Sequence, residues 1–285
     1  MLRKSLGHLL RAAGKPVLWR YRSSWCVEPR PLLPLRQVVT AKFLLQRIFR
    51  YGHGLQAVTG NPPREIRPPT DHPLASLWQL EPPVFSGWAL PEETVLWLWQ
   101  FLQERKPRVI WEFGSGVSTL AFATYARLQT EAGRQVRVFS FEHEAEWATA
   151  TRERLEVLGL GDCACVIDAP LVNQELPQGP GLCYDLGCLT ALCVADEATP
   201  DLCLIDGPPD EKGRGATLPV AAQYFGEQTT VLLDDAFRDT ELDCCHAWEK
   251  LKNVNVVCKG ILPFRHGVAL FEVTKPSLVF GHSEA

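Results

Sequence analysis

The sequence contains no uncharged apolar run that approaches the roughly 18 residues of a membrane-spanning helix, so we expect none. Its start, MLRKSLGHLLRAAGK, lacks the long apolar stretch and the cleavage site of a secretory signal. The ten cysteines form no CxxC pair, and the pairs Cys163/Cys165 and Cys244/Cys245 lack zinc-ligand spacing. We therefore expect reduced, mostly buried thiols and a cytoplasmic protein.

Acidic residues are scarce in the first 70 residues, which hold 13 Lys/Arg but only Glu28 and Glu65. The rest of the chain holds 16 Lys/Arg against 31 acids. Prolines are concentrated near the start, and residues 1–13 and 37–52 have the pattern of short basic helices. The sequence therefore predicts a basic, Pro-rich N-terminal arm with two short helices at 1–70, followed by the main domain at 71–285.

The positive charge of this arm suits an anionic membrane surface, a nucleic acid or the acidic main domain itself. An organelle presequence is an alternative, because residues 1–27 contain no acid and several Arg and Ser. A helical lid over a site is another. Basic and aromatic residues do not alternate, so a nucleic acid is not our first choice. We expect the main domain to fold without residues 1–60.

Alternating strands and helices characterise the chain from residue 91 onwards. Strands are predicted at 108–113, 136–142, 164–168, 202–206, 229–234, 254–259 and 267–273, and helices at 91–105, 118–130, 145–158, 217–225 and 242–251. Residues 169–198 are Gly- and Pro-rich before a short predicted helix. The last two strands are too close for a crossover, so they form an antiparallel pair. The pattern predicts an α/β fold with a doubly wound, mostly parallel seven-stranded sheet closed by an antiparallel hairpin.

Ligands of such sheets bind at the carboxyl ends of the strands, so the residues at those positions are the candidate site. The first strand ends in EFGSGVST, whose glycines permit a tight turn and a close approach of ligand to backbone, with Ser118 as a candidate helix cap. Glu142 ends the second strand, where an acid can accept hydrogen bonds from a ribose diol. Asp168 ends the third, either to accept from an adenine amino group or as a solvated acid.

Acids also end the fourth and fifth strands, in LCLIDGPP and VLLDDAFR. Carboxylates gathered at one sheet edge repel each other unless a cation or a basic side chain compensates them. The compensating candidates are Lys212, Arg214 and Arg238, and the acids concerned are Asp206, Asp234 and Asp235.

These motifs, in this order, resemble the class I S-adenosylmethionine-dependent methyltransferase family, over about residues 85–275. They are most similar to small-molecule members with an E-[FY]-G-S-G-x-S-T first motif and an EHxxEW second motif. The resemblance implies a Rossmann-like methyltransferase fold and S-adenosyl-L-methionine as cofactor, bound by Glu112, Gly114, Ser115, Gly116, Ser118, Glu142, His143 and Asp168. Trp147 of the second motif is expected to pack in the core.

The resemblance further implies methyl transfer to an oxygen, or less readily a nitrogen, of a small-molecule acceptor, with Asp206 and Lys212 as catalytic residues. Catechol-type O-methyltransferases are similar in placing acids where Asp206, Asp234 and Asp235 lie, which implies Mg²⁺ as a second cofactor. Asp235 replaces the Asn of those enzymes, so pairing of the acids with Arg214 or Arg238 is the alternative. Two other hypotheses are a catalytically silent methyltransferase-like binding protein and a nicotinamide-dependent oxidoreductase, the latter disfavoured by Thr119 in place of a third glycine.

Overall fold

The computed structural model describes residues 32–40, 66–85, 87–176, 179–187, 189, 199–209, 212–264 and 266–275. The predicted helix at 1–13 and most of the one at 37–52 lie outside the described residues, as does most of the basic arm. The binding partners expected for that arm therefore stay predictions. No helix among the described residues is long and apolar enough to cross a membrane.

One seven-stranded sheet organises the chain. Its strands are β1 (Val109–Phe113), β2 (Arg137–Glu142), β3 (Cys165–Asp168), β6 (Leu202–Ile205), β7 (Gln228–Leu233), β8 (Asn255–Leu262) and β9 (Val268–Thr274). They lie side by side in the order β3-β2-β1-β6-β7-β9-β8. The first five pair in parallel, whereas β9 runs antiparallel to both β7 and β8. The predicted fold class, a doubly wound and mostly parallel sheet closed by an antiparallel hairpin, is confirmed.

Five helices of the described part flank this sheet: α1 (Glu92–Arg105), α2 (Val117–Glu131), α3 (Ala145–Val157), α4 (Arg214–Ala221) and α5 (Asp239–Trp248). The central strands are apolar on both faces because helices cover both. Ile110 of β1 packs into one buried cluster with residues of α1 and α2, and Trp111 packs into the other with residues of α4 and α5. The sheet is thus the middle layer of three.

The segment 169–198 begins with an antiparallel hairpin that was not predicted, and most of the residues expected to form the short helix after it lie outside the described residues. Its strands are β4 (Leu171–Leu176) and β5 (Gly179–Tyr184), which pair only with each other. Tyr184, at the end of β5, is buried against the main sheet, where its ring contacts Phe113 with centroids 5.2 Å apart. The hairpin therefore brings a side chain close to the strand ends.

Residues 32–40 pack against the free edge of the sheet. The backbone groups of Leu33 and Ile261 exchange two hydrogen bonds of 2.8 Å, which adds a short antiparallel bridge to β8. Leu35 and Val38 are buried in the core, and residues 35–40 are helical. An uncovered edge strand exposes unpaired backbone groups, and this segment pairs with some of those of β8. It therefore contributes to the main fold, although it lies within the first 70 residues.

Candidate active site

A pocket of about 400 Å³ lies at the carboxyl ends of β1, β2, β6 and β7. The strand order reverses beside β1, which makes this the topological switch point where ligands of α/β sheets bind. Most of the predicted site residues line the pocket: Gly114, Ser115, Gly116, Ser118, Glu142, His143, Asp206, Lys212, Asp234 and Asp235. Glu112 and Asp168 do not line it.

The turn after β1 is built on a close approach of two glycines. Gly114 has φ +93°, and a Cβ added to it would lie 3.0 Å from the backbone nitrogen of Gly207. A Cβ added to Gly207 would lie 2.3 Å from the hydroxyl of Tyr184. Larger residues therefore do not fit at either position without a backbone shift, and the loops after β1 and β6 meet at the pocket floor.

Glu112 lies beneath that turn and is fully buried. Its Oε2 accepts hydrogen bonds from the hydroxyls of Thr119 and Ser140, the latter at 2.7 Å. Its Oε1 lacks a well-formed hydrogen bond among the described residues, although the Ser118 hydroxyl is near enough to favour the charged carboxylate. Burial dominates over these hydrogen bonds and raises the pKa of Glu112 to about 7. Glu112 thus acts on the pocket through Thr119 and Ser140.

The sequence predicts that Ser118 caps the helix after the turn, but in the structure Thr119 does so. Helix α2 begins after Gly116, whose N–H donates to the Thr119 hydroxyl at 3.0 Å. That hydroxyl donates onward to Glu112. A glycine at this position, as in dinucleotide-binding fingerprints, could not make this link between the loop and the buried acid.

Glu142, at the end of β2, holds the same loop from the other side. Its Oε2 accepts from the N–H and the hydroxyl of Ser115 at 2.7 and 3.0 Å, and its Oε1 accepts from the N–H groups of His143 and Glu144 at 2.8 and 3.0 Å. Burial opposes ionisation, but the hydrogen bonds from His143, Glu144 and Ser115 outweigh it and lower the pKa of Glu142. Glu142 is therefore a charged acceptor with all four of its usual acceptor positions filled.

His143 lies between this acid and the hairpin. Its Nδ1 is 3.0 Å from Oε1 of Glu142, and its ring meets Tyr184 edge-on with centroids 5.8 Å apart. The Tyr184 hydroxyl is buried and has no hydrogen-bond partner among the described residues. Burial, together with the nearby charge of Glu142, raises the pKa of this hydroxyl. Tyr184 is not among the cofactor-binding or catalytic residues predicted from the sequence, because its contacts depend on the hairpin.

Asp168 lies away from the pocket. Its side chain is 63% exposed and pairs with Arg152 at 2.9 Å. This arrangement is that of the solvated acid, the alternative interpretation, and the reason is topological, since β3 is the edge strand of the sheet. Binding of an adenine amino group by Asp168 stays a prediction.

Lys212 reaches across the pocket rim instead of towards the acids. Its ammonium pairs with Glu144, and both side chains are nearly half exposed. The pair connects the loop after β6 with the end of β2, and it lowers the pKa of Glu144. This placement favours a role at the rim over the predicted role as proton acceptor.

Arg214 compensates the strand-end acids from the first residue of α4. Its guanidinium is 5% exposed and donates to Asp235 at 3.1 Å and to Glu241 at 3.0 Å. It also donates to the carbonyls of Pro208 and Asp206, and lies 3.8 Å from Oδ1 of Asp206. Although burial opposes its charge, these carboxylates raise the pKa of Arg214. Sequence analysis named Arg214 as a candidate but missed Glu241.

The three strand-end acids consequently differ in what their oxygens contact. Asp235 adopts a left-handed φ of +58°, which Asp and Asn tolerate best, and also pairs with Arg238 at 2.8 Å. Asp234 Oδ1 is buried and has no hydrogen-bond partner among the described residues. Burial and the other acids raise the pKa of Asp234, and burial raises that of Asp206 to about 7. Asp234 alone of the three keeps a buried oxygen without a partner.

The predicted magnesium ligands do not fit that metal. Mg²⁺ takes oxygen ligands, but two guanidinium groups already contact Oδ2 of Asp235. Within the described part of the chain, the group whose ligand atoms lie within 4.8 Å of one another is Asp234, Asp235 and His266, which omits Asp206 and adds an imidazole. Asp206 and Asp235 therefore face the Arg214 guanidinium, and the described residues do not gather the three predicted acids into one ligand set.

Two tryptophans lie on the rim of the pocket, and one of them was predicted to pack in the core. Trp147, expected in the core, is 44% exposed and lines the pocket from α3. Trp88 is 76% exposed and lines it from the segment before α1. Exposed rings of this size at a pocket provide apolar surface for a ligand.

No family model matches the sequence, and no curated protein matches it. Among solved structures, the chain is similar to an O-methyltransferase from Bacillus cereus in complex with S-adenosylhomocysteine, with 14% identity over 85% of this chain and 100% of that chain and a TM-score of 0.50. It is also similar to an S-adenosylhomocysteine-bound methyltransferase from Podospora anserina, with 18% identity, 72% and 88% coverage and a TM-score of 0.48. At such identities the similarity to the Bacillus cereus enzyme shows the fold, which is the Rossmann-like methyltransferase fold.

Proposed function

We propose that this chain is an S-adenosylmethionine-dependent methyltransferase that acts on an oxygen of a small molecule. The observation that carries the proposal is one pocket lined both by the glycine turn with Glu142 and by the acids Asp206 and Asp234. The first pair of features suits a nucleoside cofactor, and the second suits an acceptor that must lose a proton.

Cofactor binding would use the loop between β1 and α2. The turn leaves room at Gly116, where an added Cβ would meet no atom within 4 Å. Glu142 would accept hydrogen bonds from the ribose hydroxyls, which would take over acceptor positions that the N–H and hydroxyl of Ser115 now fill. His143 and Trp147 would line the adenine side.

The reaction requires little chemistry from the protein. When bound, S-adenosylmethionine supplies a methyl carbon that its sulfonium already activates. The residues of this chain would align the acceptor with that carbon and take the acceptor's proton. Asp206 suits the second task, because its pKa of about 7 leaves part of it ionised at neutral pH.

Oxygen is favoured over nitrogen by the groups left without a partner. A guanidinium has five N–H donors, and the described contacts of Arg214 occupy four of them within hydrogen-bond distance. The remaining N–H could donate to a hydroxyl oxygen, while Asp234 Oδ1 could accept its hydrogen. An amine that is protonated at neutral pH could use only the second contact, and it would have to lose a proton before its nitrogen could accept a methyl group.

A calorimetric titration with S-adenosylhomocysteine tests the proposal. We expect saturable binding to the full chain, weakened by about 1.5–3 kcal/mol in Glu142→Gln. Glu153→Gln is the matched control, because Glu153 is exposed on α3. Binding without methyl transfer from a deuterated donor to any co-purified compound would support the silent binding protein. NADH binding in place of S-adenosylhomocysteine would support the oxidoreductase.

Two proposals rest on the sequence alone. A cytoplasmic location is proposed from cysteine usage, because the ten cysteines form no CxxC pair and the start of the sequence lacks the pattern of a secretory signal. Contact of the basic arm with an anionic membrane surface follows from its charge. Co-sedimentation of the full chain with anionic but not neutral vesicles would support the second, and equal recovery with both would refute it.

A further inference from the structure

The position of Arg214 is electrostatically unfavourable unless other groups compensate it. It is the first residue of α4, where the helix dipole repels a cation. Gly213 before it has φ +99°, and a Cβ added there would collide with the carbonyl of Leu182 in β5. The backbone is thus fixed against the hairpin, and the guanidinium is held where the loops after β6 and β7 meet.

The oxygens around this guanidinium are of the kind that a hard metal ion would take. They are carboxylate oxygens of Asp235 and Glu241 and backbone carbonyls of Pro208 and Asp206, with a carboxylate oxygen of Asp206 at 3.8 Å. Glu241 is completely buried, so the cation that compensates it must be permanent. Arginine remains charged at any pH at which proteins fold.

We propose that the Arg214 guanidinium is the fixed cation of this acidic site and takes the place that a divalent metal would otherwise fill. That an acceptor binds beside this site rests on the proposed function. That a metal ion does not bind in it rests only on the contacts of the guanidinium groups. Two guanidinium groups lie within 3.1 Å of one oxygen of Asp235, so a metal there would meet like charge at close range. The chain would then bind its cofactor, and hold its acidic site together, without added metal.

The first test uses the wild-type full chain and needs no acceptor. Calorimetry with MgCl₂ and electron paramagnetic resonance with MnCl₂ should show no saturable binding, and a chelator should leave the affinity for S-adenosylhomocysteine unchanged. Saturable uptake of one Mn²⁺ that is lost in Asp234→Asn would overturn the proposal. Failure to bind S-adenosylhomocysteine would instead count against the proposed function, so the two outcomes are distinguishable.

The second test removes the guanidinium in Arg214→Ala. We expect the melting temperature to fall by roughly 6–20 °C, because buried acids lose their cation. Millimolar guanidinium chloride or MgCl₂, but not equal NaCl, should restore part of that loss. Arg108→Ala, which removes an exposed arginine, should show neither the large fall nor the rescue. A folded Arg214→Ala protein that neither ion stabilises would overturn the proposal, and if the variant does not fold, the wild-type metal titration decides alone.

Discussion

Replacing Glu112 by glutamine should stabilise the protein at alkaline pH but not at acidic pH. Burial raises the pKa of this carboxyl from an ordinary value of 4.5 to about 7 in the folded state. The folded protein therefore binds a proton that the unfolded chain has already released between these two pH values. Wild-type stability falls as the pH rises through this window, by an amount that is constant above about pH 7.

The expected size follows from the two pKa values. One pKa unit corresponds to about 1.36 kcal/mol, so ionised Glu112 costs the folded state about 3 kcal/mol above neutral pH. Glutamine cannot ionise, and its side chain has nearly the same shape. The exchange of one oxygen for NH₂ alters hydrogen bonds with Thr119 and Ser140, but that change is the same at every pH. The pH-dependent part of the difference is therefore the quantity to test.

Urea denaturation at about pH 5 and about pH 8.5 measures it. The stability of Glu112→Gln relative to wild type should rise by about 2.5 kcal/mol between the two conditions. Glu153→Gln on the exposed face of α3 is the control and should follow the wild-type curve. Parallel curves for Glu112→Gln and wild type would show that Glu112 ionises normally, and would refute the inference that burial dominates its environment.

Three other perturbations have clear expectations. Gly207→Ala should lower the free energy of unfolding by roughly 1–3 kcal/mol and weaken S-adenosylhomocysteine binding, because the added carbon collides with the Tyr184 hydroxyl. An unchanged melting curve and titration would contradict the close approach of Gly207 to Tyr184. Deletion of residues 1–60 should lower the free energy of unfolding by about 3–6 kcal/mol more than deletion of residues 1–31. Only the longer deletion removes the Leu33–Ile261 bridge and the buried side chains of Leu35 and Val38. Equal denaturation midpoints of the two truncated chains would contradict this expectation. Lys212→Met should change stability by less than about 1 kcal/mol, because its ion pair is half exposed; a loss of methyl transfer with unchanged cofactor binding would restore Lys212 as a catalytic residue.

The sheet and the positions of Gly114 and Glu142 at the ends of its first two strands could be predicted, because the sequence patterns that mark them are local. Buried parallel strands are short apolar runs, and each run here ends in a residue that interrupts it, such as Gly114 or Glu142. The hairpin of β4 and β5 was not predictable in the same way. Its strands contain Gly179, Pro180 and Gly181 and contact chiefly each other, so neither alternation nor a long apolar run marks them.

The ion-pair partners of the charged residues could not be predicted from the sequence, for a different reason. Lys212 and Arg214 are two positions apart in one loop, yet one pairs with Glu144 across the rim and the other with Glu241 beneath the site. The choice depends on where α4 begins and on the conformation of Gly213, which the residue types do not specify. An acid in another helix or loop can be named as compensation only after the loops have been placed.

Strand order explains why two similar acids have opposite fates. Glu142 and Asp168 both end parallel strands and are paired neighbours in register, so the sequence gives no basis for ranking them. In the sheet, β2 has a strand on each side, whereas β3 is an edge. Glu142 is consequently enclosed by the loop after β1 and held by four hydrogen bonds, and Asp168 is exposed to solvent beside Arg152. An acid at a strand end becomes a candidate ligand-binding group only where a neighbouring loop encloses it, and that is a property of the strand's place in the sheet.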